Sequence, residues 1–218
     1  MMGELADTLR RIPVFTRLPM PFDTEALPTD PQRLFTNWIH EALAANTPEP
    51  HAMVLSTVDA HGRSDARTLI LKDVDERGWW FASSAESPKG IQLAKHASAA
   101  LTFYWPTMGR QVRVRGLVGV AEPEVSAQDF LARAPGGRAE ALVGRQSEPL
   151  RDRDELRTAF EEAKARVQAD PGLVAPAWTR YVVQPGEVQF FQGNAERLHV
   201  RVRYENSEEG WERTLLWP

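Results

Sequence analysis

Residues Gln111–Val120, QVRVRGLVGV, alternate apolar and polar side chains almost without a break. Successive strand side chains point to opposite faces, so this stretch has one buried face and one wet face. Shorter runs of the same kind surround it: Ala52–Val58, Ser64–Leu71 and Ala99–Trp105 before it, and Trp178–Val183, Glu187–Phe191, Leu198–Tyr204 and Trp211–Leu216 after it. Turn residues separate them, at Asp59–Gly62, at Pro185-Gly186 and around Ser207–Gly210. Strands so closely spaced predict a mostly antiparallel sheet that closes into a barrel.

The stretch Arg67–Lys95 is the most informative part of the chain. Its apolar runs Thr68–Leu71 and Trp79–Phe81 are joined by the charged turn Asp73–Gly78, which predicts a hairpin. Ser87 and Pro88 then signal a helix start, a capping hydroxyl followed by proline at the first helical position. A helix opening there aims free N–H groups and its positive dipole end at whatever sits above the strand end. Lys89 adds a mobile charge, and Arg67 and Lys72 bracket the preceding strand. Ser83, Ser84 and Ser87 complete a plausible phosphate seat, although the same pattern also suits a polar loop leading into an ordinary capped helix.

Helices are expected elsewhere too. Asp30-Pro31 starts one with Leu34, Trp38, Ile39 and Leu43 on one face, and Pro48-Glu49-Pro50 stops it. Between 125 and 170, a short helix around Phe130 and Leu131 breaks at Pro135-Gly136-Gly137. It resumes over Glu140–Gln146 and is followed by Asp152–Gln168, with Leu156, Phe160 and Val167 inward. Residues 1–30, with prolines at 13, 19, 21 and 28, read as an extended arm, and 31–218 as one domain.

Composition narrows the function. A net charge of −4 over 218 residues argues against nucleic-acid or anionic-membrane binding. The absence of cysteine removes disulfides, thiolate nucleophiles and thiol-bound metals, and makes a cytoplasmic setting the natural one. No apolar run approaches the ~20 residues of a membrane span. The five histidines fall at no metal-ligand spacing, so no metal is expected. No serine lies in a nucleophile elbow, and neither a phosphate-loop nor a dinucleotide fingerprint occurs. What remains is a set of cations attached to strands. Of only four lysines, Lys72 and Lys89 both lie in the central stretch, where compact ammonium charges are wanted. Arg197, His199 and Arg201, two apart in a strand, would form a row of donors facing an anion or electron-rich group. A solvated edge strand with Glu196 and Glu205 as counter-charges fits the same pattern.

Taken in order, RTLILK, SxxSPKGxQL, Gln111 opening the long strand, RQSEPL at 145–150 and FFQGNAERLHVRVRY at 190–204 resemble the pyridoxamine 5′-phosphate oxidase family, including the flavin oxidases of phenazine biosynthesis. The similarity runs from about Pro31 to the C-terminus. It implies an FMN-binding split β-barrel, six-stranded, antiparallel and Greek-key, with flanking helices and working as a homodimer with FMN between the subunits. It further implies that Arg67, Thr68, Leu69, Lys72, Ser83, Ser87 and Lys89 face the phosphate and ribityl chain of FMN, and that Gln111, Phe191 and Arg201 lie near the flavin. Gln146 and Ser147 would come from the partner subunit. Arg197 and His199 would be the catalytic pair holding the substrate, with Lys72 and Arg133 gripping its phosphate or carboxylate.

The implied reaction is hydride transfer from substrate to flavin, with O2 as acceptor and H2O2 as product. The substrate would be pyridoxine or pyridoxamine 5′-phosphate first, because Arg197 and His199 are both present, and a dihydrophenazine carboxylate second. A split-barrel protein that binds flavin, deazaflavin or haem without turnover is the rival from another class. The sequence departs from the vitamin enzymes at Asp129 and Gly137, where a tyrosine and a serine are usual, and at Phe191, where a tryptophan is usual. Ala82 and Pro88 replace larger or basic contacts, and the C-terminal Leu215-Leu216-Trp217-Pro218 lacks the usual arginine. These changes touch the phosphate grip on the substrate more than the FMN seat.

Overall fold

Polar caps and prolines set the helix starts. The computed structural model describes residues 2–15 and 22–218. In α2 (Pro31–Ala44) the Asp30 carboxylate accepts from the Gln32 N–H at 2.7 Å, and Pro31 opens the first turn. Leu34, Phe35, Trp38 and Ala42 are its buried face, whereas Leu43, expected inward, is 57% exposed. Before it, α1 (Met2–Arg10) occupies part of the segment expected to be extended. Leu5 and Leu9 sit one turn apart there, and Pro13 lies just beyond its end. The prolines at 19 and 21 lie outside the described residues.

The strands are β1 (Ala52–Val58), β2 (Ser64–Ile70), β3 (Asp73–Asp75), β4 (Gly78–Ser84), β5 (Ser98–Trp105), β6 (Arg110–Val120), β7 (Trp178–Gln192), β8 (Val200–Ser207) and β9 (Gly210–Leu215). They form one sheet in the order β2-β1-β5-β6-β7-β4-β3, with β8 on β7 and β9 on β8, nine strands rather than six. Helix α3 (Pro88–Lys95) follows β4, and α4 (Pro123–Leu131), α5 (Pro135–Val143) and α6 (Arg153–Ala169) lie between β6 and β7. Pro135 thus opens a helix at the first position rather than ending one.

Two strand expectations are corrected. The hairpin around Asp73–Gly78 closes between β3 and β4, with Asp75 opposite Gly78, and β2 lies at the other end of the sheet order. Lys72 marks the break, its N–H donating to the Trp80 carbonyl at 2.8 Å. Second, Pro185-Gly186 makes no turn, because β7 runs straight through it. Gly116 of β6 explains the close approach: a Cβ there would lie 1.9 Å from the Gln184 carbonyl oxygen.

The chain divides into two compact units: Met1–Met53 with Leu101–Val114 and Gly186–Pro218, and Val54–Ala100 with Arg115–Pro185. In the first, Phe35 meets Phe103 edge-on at 4.8 Å, and Trp38 meets Phe190 at 5.2 Å. Buried Arg110 lies 4.3 Å over the Trp38 ring, and its guanidinium donates to Glu41 at 2.6 Å and Gln192 at 2.8 Å. In the second, Phe81 stacks on Tyr181 across the β4–β7 ladder at 5.2 Å. Ala139, Ala163 and Val167 join α5 to α6. Each large side chain buried this way contributes about 1.5–3 kcal/mol.

Candidate functional site

The second unit contains a seat built on the start of α3. Ser87 caps the helix, its Oγ accepting from the Gly90 N–H at 3.3 Å and donating to the Ser84 carbonyl at 2.7 Å. The turn is so tight that a Cβ on Gly90 would lie 2.3 Å from the Ala85 oxygen. Lys89 is 5% exposed, and its Nζ donates to Ser87 Oγ at 3.1 Å and to Gln146 Oε1 at 2.9 Å. Both acceptors are neutral. Among the described residues no carboxylate lies within ion-pair distance of Lys89. Burial pulls its pKa below that of an ordinary lysine, the nearby Arg67 charge adds to this, and Asp65 opposes it. A buried ammonium with neutral partners only is a site prepared for an anion.

Arg67 is held rigidly beside it. One terminal nitrogen donates to Thr57 Oγ1 at 2.6 Å and to the Leu55 carbonyl at 3.3 Å. The other meets Asp65 and donates to Gln92 Oε1 at 3.2 Å. Gln92 is one turn along α3, so the helix fixes both cations. The Gln92 hydrogen bond, with help from Arg67, keeps the Asp65 carboxyl below the usual carboxylate range.

Next to the seat opens a cavity of about 670 Å³, lined by Thr68, Leu69, Lys72, Ser83, Arg133 and Gln146 with apolar surface from Leu156, Phe160 and Trp178. Its three cations, Lys72, Arg133 and Arg145, are already engaged, Arg145 by Glu148 at 3.0 Å and by Glu155 at 2.8 Å. Lys72 Nζ lies 3.4 Å from an Asp129 oxygen, and the Trp178 indole N–H donates to the other Asp129 oxygen at 2.9 Å. Arg133 lies 4.1 Å over the Trp178 ring, donates to the Gly137 carbonyl at 2.8 Å and reaches Glu140 at 3.7 Å. Its buried Nε has no hydrogen-bond partner. Burial lowers the Arg133 pKa, against the pull of Glu140 and Asp129.

Apart from Ser147, the remaining expected residues belong to the first unit. Gln111 is the second residue of β6, and Phe191 faces Arg201 across the β7–β8 ladder. Arg201 donates to Gln189 at 3.0 Å and to the Trp217 carbonyl at 3.3 Å. The expected row of Arg197, His199 and Arg201 on one strand is corrected, because β8 begins only at Val200. Arg197 takes a left-handed backbone, φ 68°, in a turn where its N–H donates to the Asn194 carbonyl at 3.1 Å. His199 Nδ1 accepts from the Asn194 N–H at 3.0 Å, so a neutral ring carries its proton on Nε2. That ring sits 5.2 Å from both Phe15 and Phe191.

Sequence reasoning missed Phe15, which no local pattern marks, and Trp178, read only as the start of a strand. Gln146, expected from the partner subunit, reaches Lys89 within its own chain. Ser147, exposed at φ 71°, does not line the cavity.

A family model for pyridoxamine 5′-phosphate oxidase matches residues 39–167, and one for the pyridoxine 5′-phosphate oxidase C-terminal dimerisation region matches 178–218. The chain belongs to the pyridoxamine 5′-phosphate oxidase family. Curated members include the pyridoxine/pyridoxamine 5′-phosphate oxidases of Rubrobacter xylanophilus, 40% identical over 87% of both chains, and of a Janthinobacterium strain, 42% identical over 87% of this chain and 90% of the relative. Among solved structures, PhzG of Burkholderia lata in complex with tetrahydrophenazine-1-carboxylic acid matches with TM-score 0.85 and 28% identity, over 92% of this chain and 99% of that one. The resemblance read from the motifs therefore holds. The fold is the mainly β split barrel of this family with flanking helices, and the chain is an oxidoreductase. Among the described residues no helix is long and apolar enough to cross a membrane, and no cluster of metal-ligating side chains occurs.

Proposed function

We propose that this chain is an FMN-dependent oxidase of cytoplasmic pyridine or phenazine metabolism, acting as a homodimer with O2 as acceptor. The observation that carries the reading is Lys89, a buried ammonium at the start of α3 with only Ser87 and Gln146 as partners. A phosphate monoester supplies the anion this seat lacks. Lys89, Arg67 and the first amides of α3 would hold the phosphate, and Thr68, Leu69 and Ser83 would flank the ribityl chain. When bound, FMN supplies hydride acceptance and reoxidation by O2. The protein's own residues orient the substrate and exclude water. Arg197 would hold it, and His199, with its proton on Nε2, would donate a hydrogen bond.

Pyridoxine or pyridoxamine 5′-phosphate is the substrate suggested by the curated relatives. A carboxylated dihydrophenazine is the second reading, favoured by the contact of Lys72 with Asp129 and by the ligand of the Burkholderia structure. The test is denaturation of purified protein with identification of the released flavin, then peroxide production from both substrates in parallel. FMN rather than FAD is expected, and turnover of at least one substrate. Arg197→Ala should retain FMN while turnover efficiency falls roughly ten- to a hundredfold. Colourless protein that takes up no FMN refutes the proposal.

A further inference from the structure

The cavity beside the seat is built to receive an anion at Lys72 and Arg133, yet it carries its own counter-ion. Asp129 comes from α4, Lys72 from the β2–β3 break and Trp178 from the start of β7; Lys72 and Trp178 line the cavity and Asp129 touches both. The Asp129 side chain is 10% exposed and Lys72 29%. A pair this shielded is screened far less than one on the surface. Trp178 keeps it in place with a neutral hydrogen bond, and the face of the same indole holds Arg133. Gly137 lets Arg133, in the α4–α5 link, fold onto the first turn of α5, since a Cβ there would lie 3.1 Å from a terminal nitrogen of that guanidinium. Lys72 and Arg133 thus both have partners within the chain, and the Arg133 Nε–H is left without one.

From this geometry we infer that Asp129 is a specificity-determining residue that excludes phosphate dianions from the cavity and leaves it to planar aromatic substrates without phosphate. A phosphate monoester carries close to two negative charges at neutral pH. At Lys72 it must sit beside the Asp129 carboxylate, whether it takes the remaining N–H groups or displaces that partner. A monocarboxylated aromatic meets half that repulsion. It can accept from the two Lys72 N–H groups that remain, or from the unpartnered Arg133 Nε–H, while its rings cover Leu156, Phe160 and Trp178. The inference rests on reading this cavity as the substrate end of the proposed flavin site.

Asp129→Asn tests it. The amide keeps the shape and removes the charge, and its one oxygen can accept either from the Trp178 indole or from Lys72. Binding of pyridoxine 5′-phosphate, unphosphorylated pyridoxine and phenazine-1-carboxylate is followed by protein fluorescence, with FMN in excess and no phosphate in the buffer. The unmodified protein should favour phenazine-1-carboxylate over pyridoxine 5′-phosphate. The variant should gain roughly ten- to a hundredfold for pyridoxine 5′-phosphate, the value of one charged hydrogen bond, with a far smaller gain for pyridoxine. Added salt should shrink that gain.

No gain, or an equal gain for pyridoxine, overturns the inference. So does low-micromolar binding of pyridoxine 5′-phosphate by the unmodified protein, a measurement that stands even where the variant fails to fold. Flavin content of the same samples separates the two claims. Protein that takes up no FMN removes the proposed function while the ligand ratios still decide the role of Asp129, and flavin-replete protein with no phosphate gain removes the role of Asp129 alone.

Discussion

Replacing Lys89 by methionine should change stability and flavin affinity in opposite directions. Methionine fills most of the volume of the lysine stem and removes the ammonium. Nothing is orphaned: Ser87 Oγ keeps its bonds to Gly90 and Ser84, and Gln146 is exposed and returns to water. The flavin-free protein loses a desolvated charge whose partners are neutral, so Lys89→Met should stabilise it by about 1 kcal/mol. For a chain of this size that is a rise of about 2–4 °C in Tm. With FMN the sign reverses. Loss of one charged hydrogen bond weakens binding by about 1.5–3 kcal/mol, roughly ten- to a hundredfold in Kd.

Ligand at a hundred times Kd stabilises by about 2.7 kcal/mol, so a tenfold loss of affinity at the same FMN concentration halves that stabilisation. Scanning calorimetry with and without FMN reads both signs in one experiment. The pH dependence follows from the lowered Lys89 pKa. Between its folded and unfolded pKa values only the unfolded chain holds the proton, so flavin-free stability rises with pH through that window. A bound anion wants the charged form, so FMN affinity should fall at a lower pH than an ordinary lysine would dictate. Unchanged FMN affinity in Lys89→Met, or a less stable flavin-free variant, refutes this account of the seat.

Two further outcomes are expected. Gly116→Ala places a methyl 1.9 Å from the Gln184 oxygen, so it should cost on the order of 3 kcal/mol and lower Tm by about 6–12 °C; an unshifted transition means β6 and β7 do not approach so closely. Phe15→Ala removes the ring lying on His199 and should cost about 0.5–1.5 kcal/mol, with faster limited proteolysis near residue 15 as its signature.

How much could be read in advance depended on the range of the interaction. The Ser87-Pro88 start and the Asp30 cap are local hydrogen bonds between residues two or three apart, and they stand where the motif put them. β1 matches its expected bounds because its apolar runs and flanking turns carry the signal themselves. The turn expected at Pro185-Gly186 failed because proline and glycine mark a turn only when nothing across the sheet holds the strand straight. Here a neighbouring glycine, 116, admits the backbone of Gln184. Arg197–His199 failed for a related reason: alternation suggested a strand, but Asn194 binds both the Arg197 N–H and His199 Nδ1 and makes a turn instead.

Trp178 shows why motif matching alone stops short of the substrate. Lys72, Asp129, Arg133 and Trp178 stand on four separate segments, and no spacing in the sequence relates the first to the last. Read singly, Lys72 and Arg133 are two cations awaiting an anion, which is how the resemblance to the family presents them. Read with Asp129, Glu140 and the indole, they carry their counter-charges before any ligand arrives. Lys89 is the contrasting case, because its partners are a hydroxyl and an amide and its charge stays uncompensated. Two lysines seventeen positions apart, both matching family motifs, therefore have opposite electrostatic needs. On the proposed reading, the seat at Lys89 calls for a phosphate and the pair at Lys72 does not.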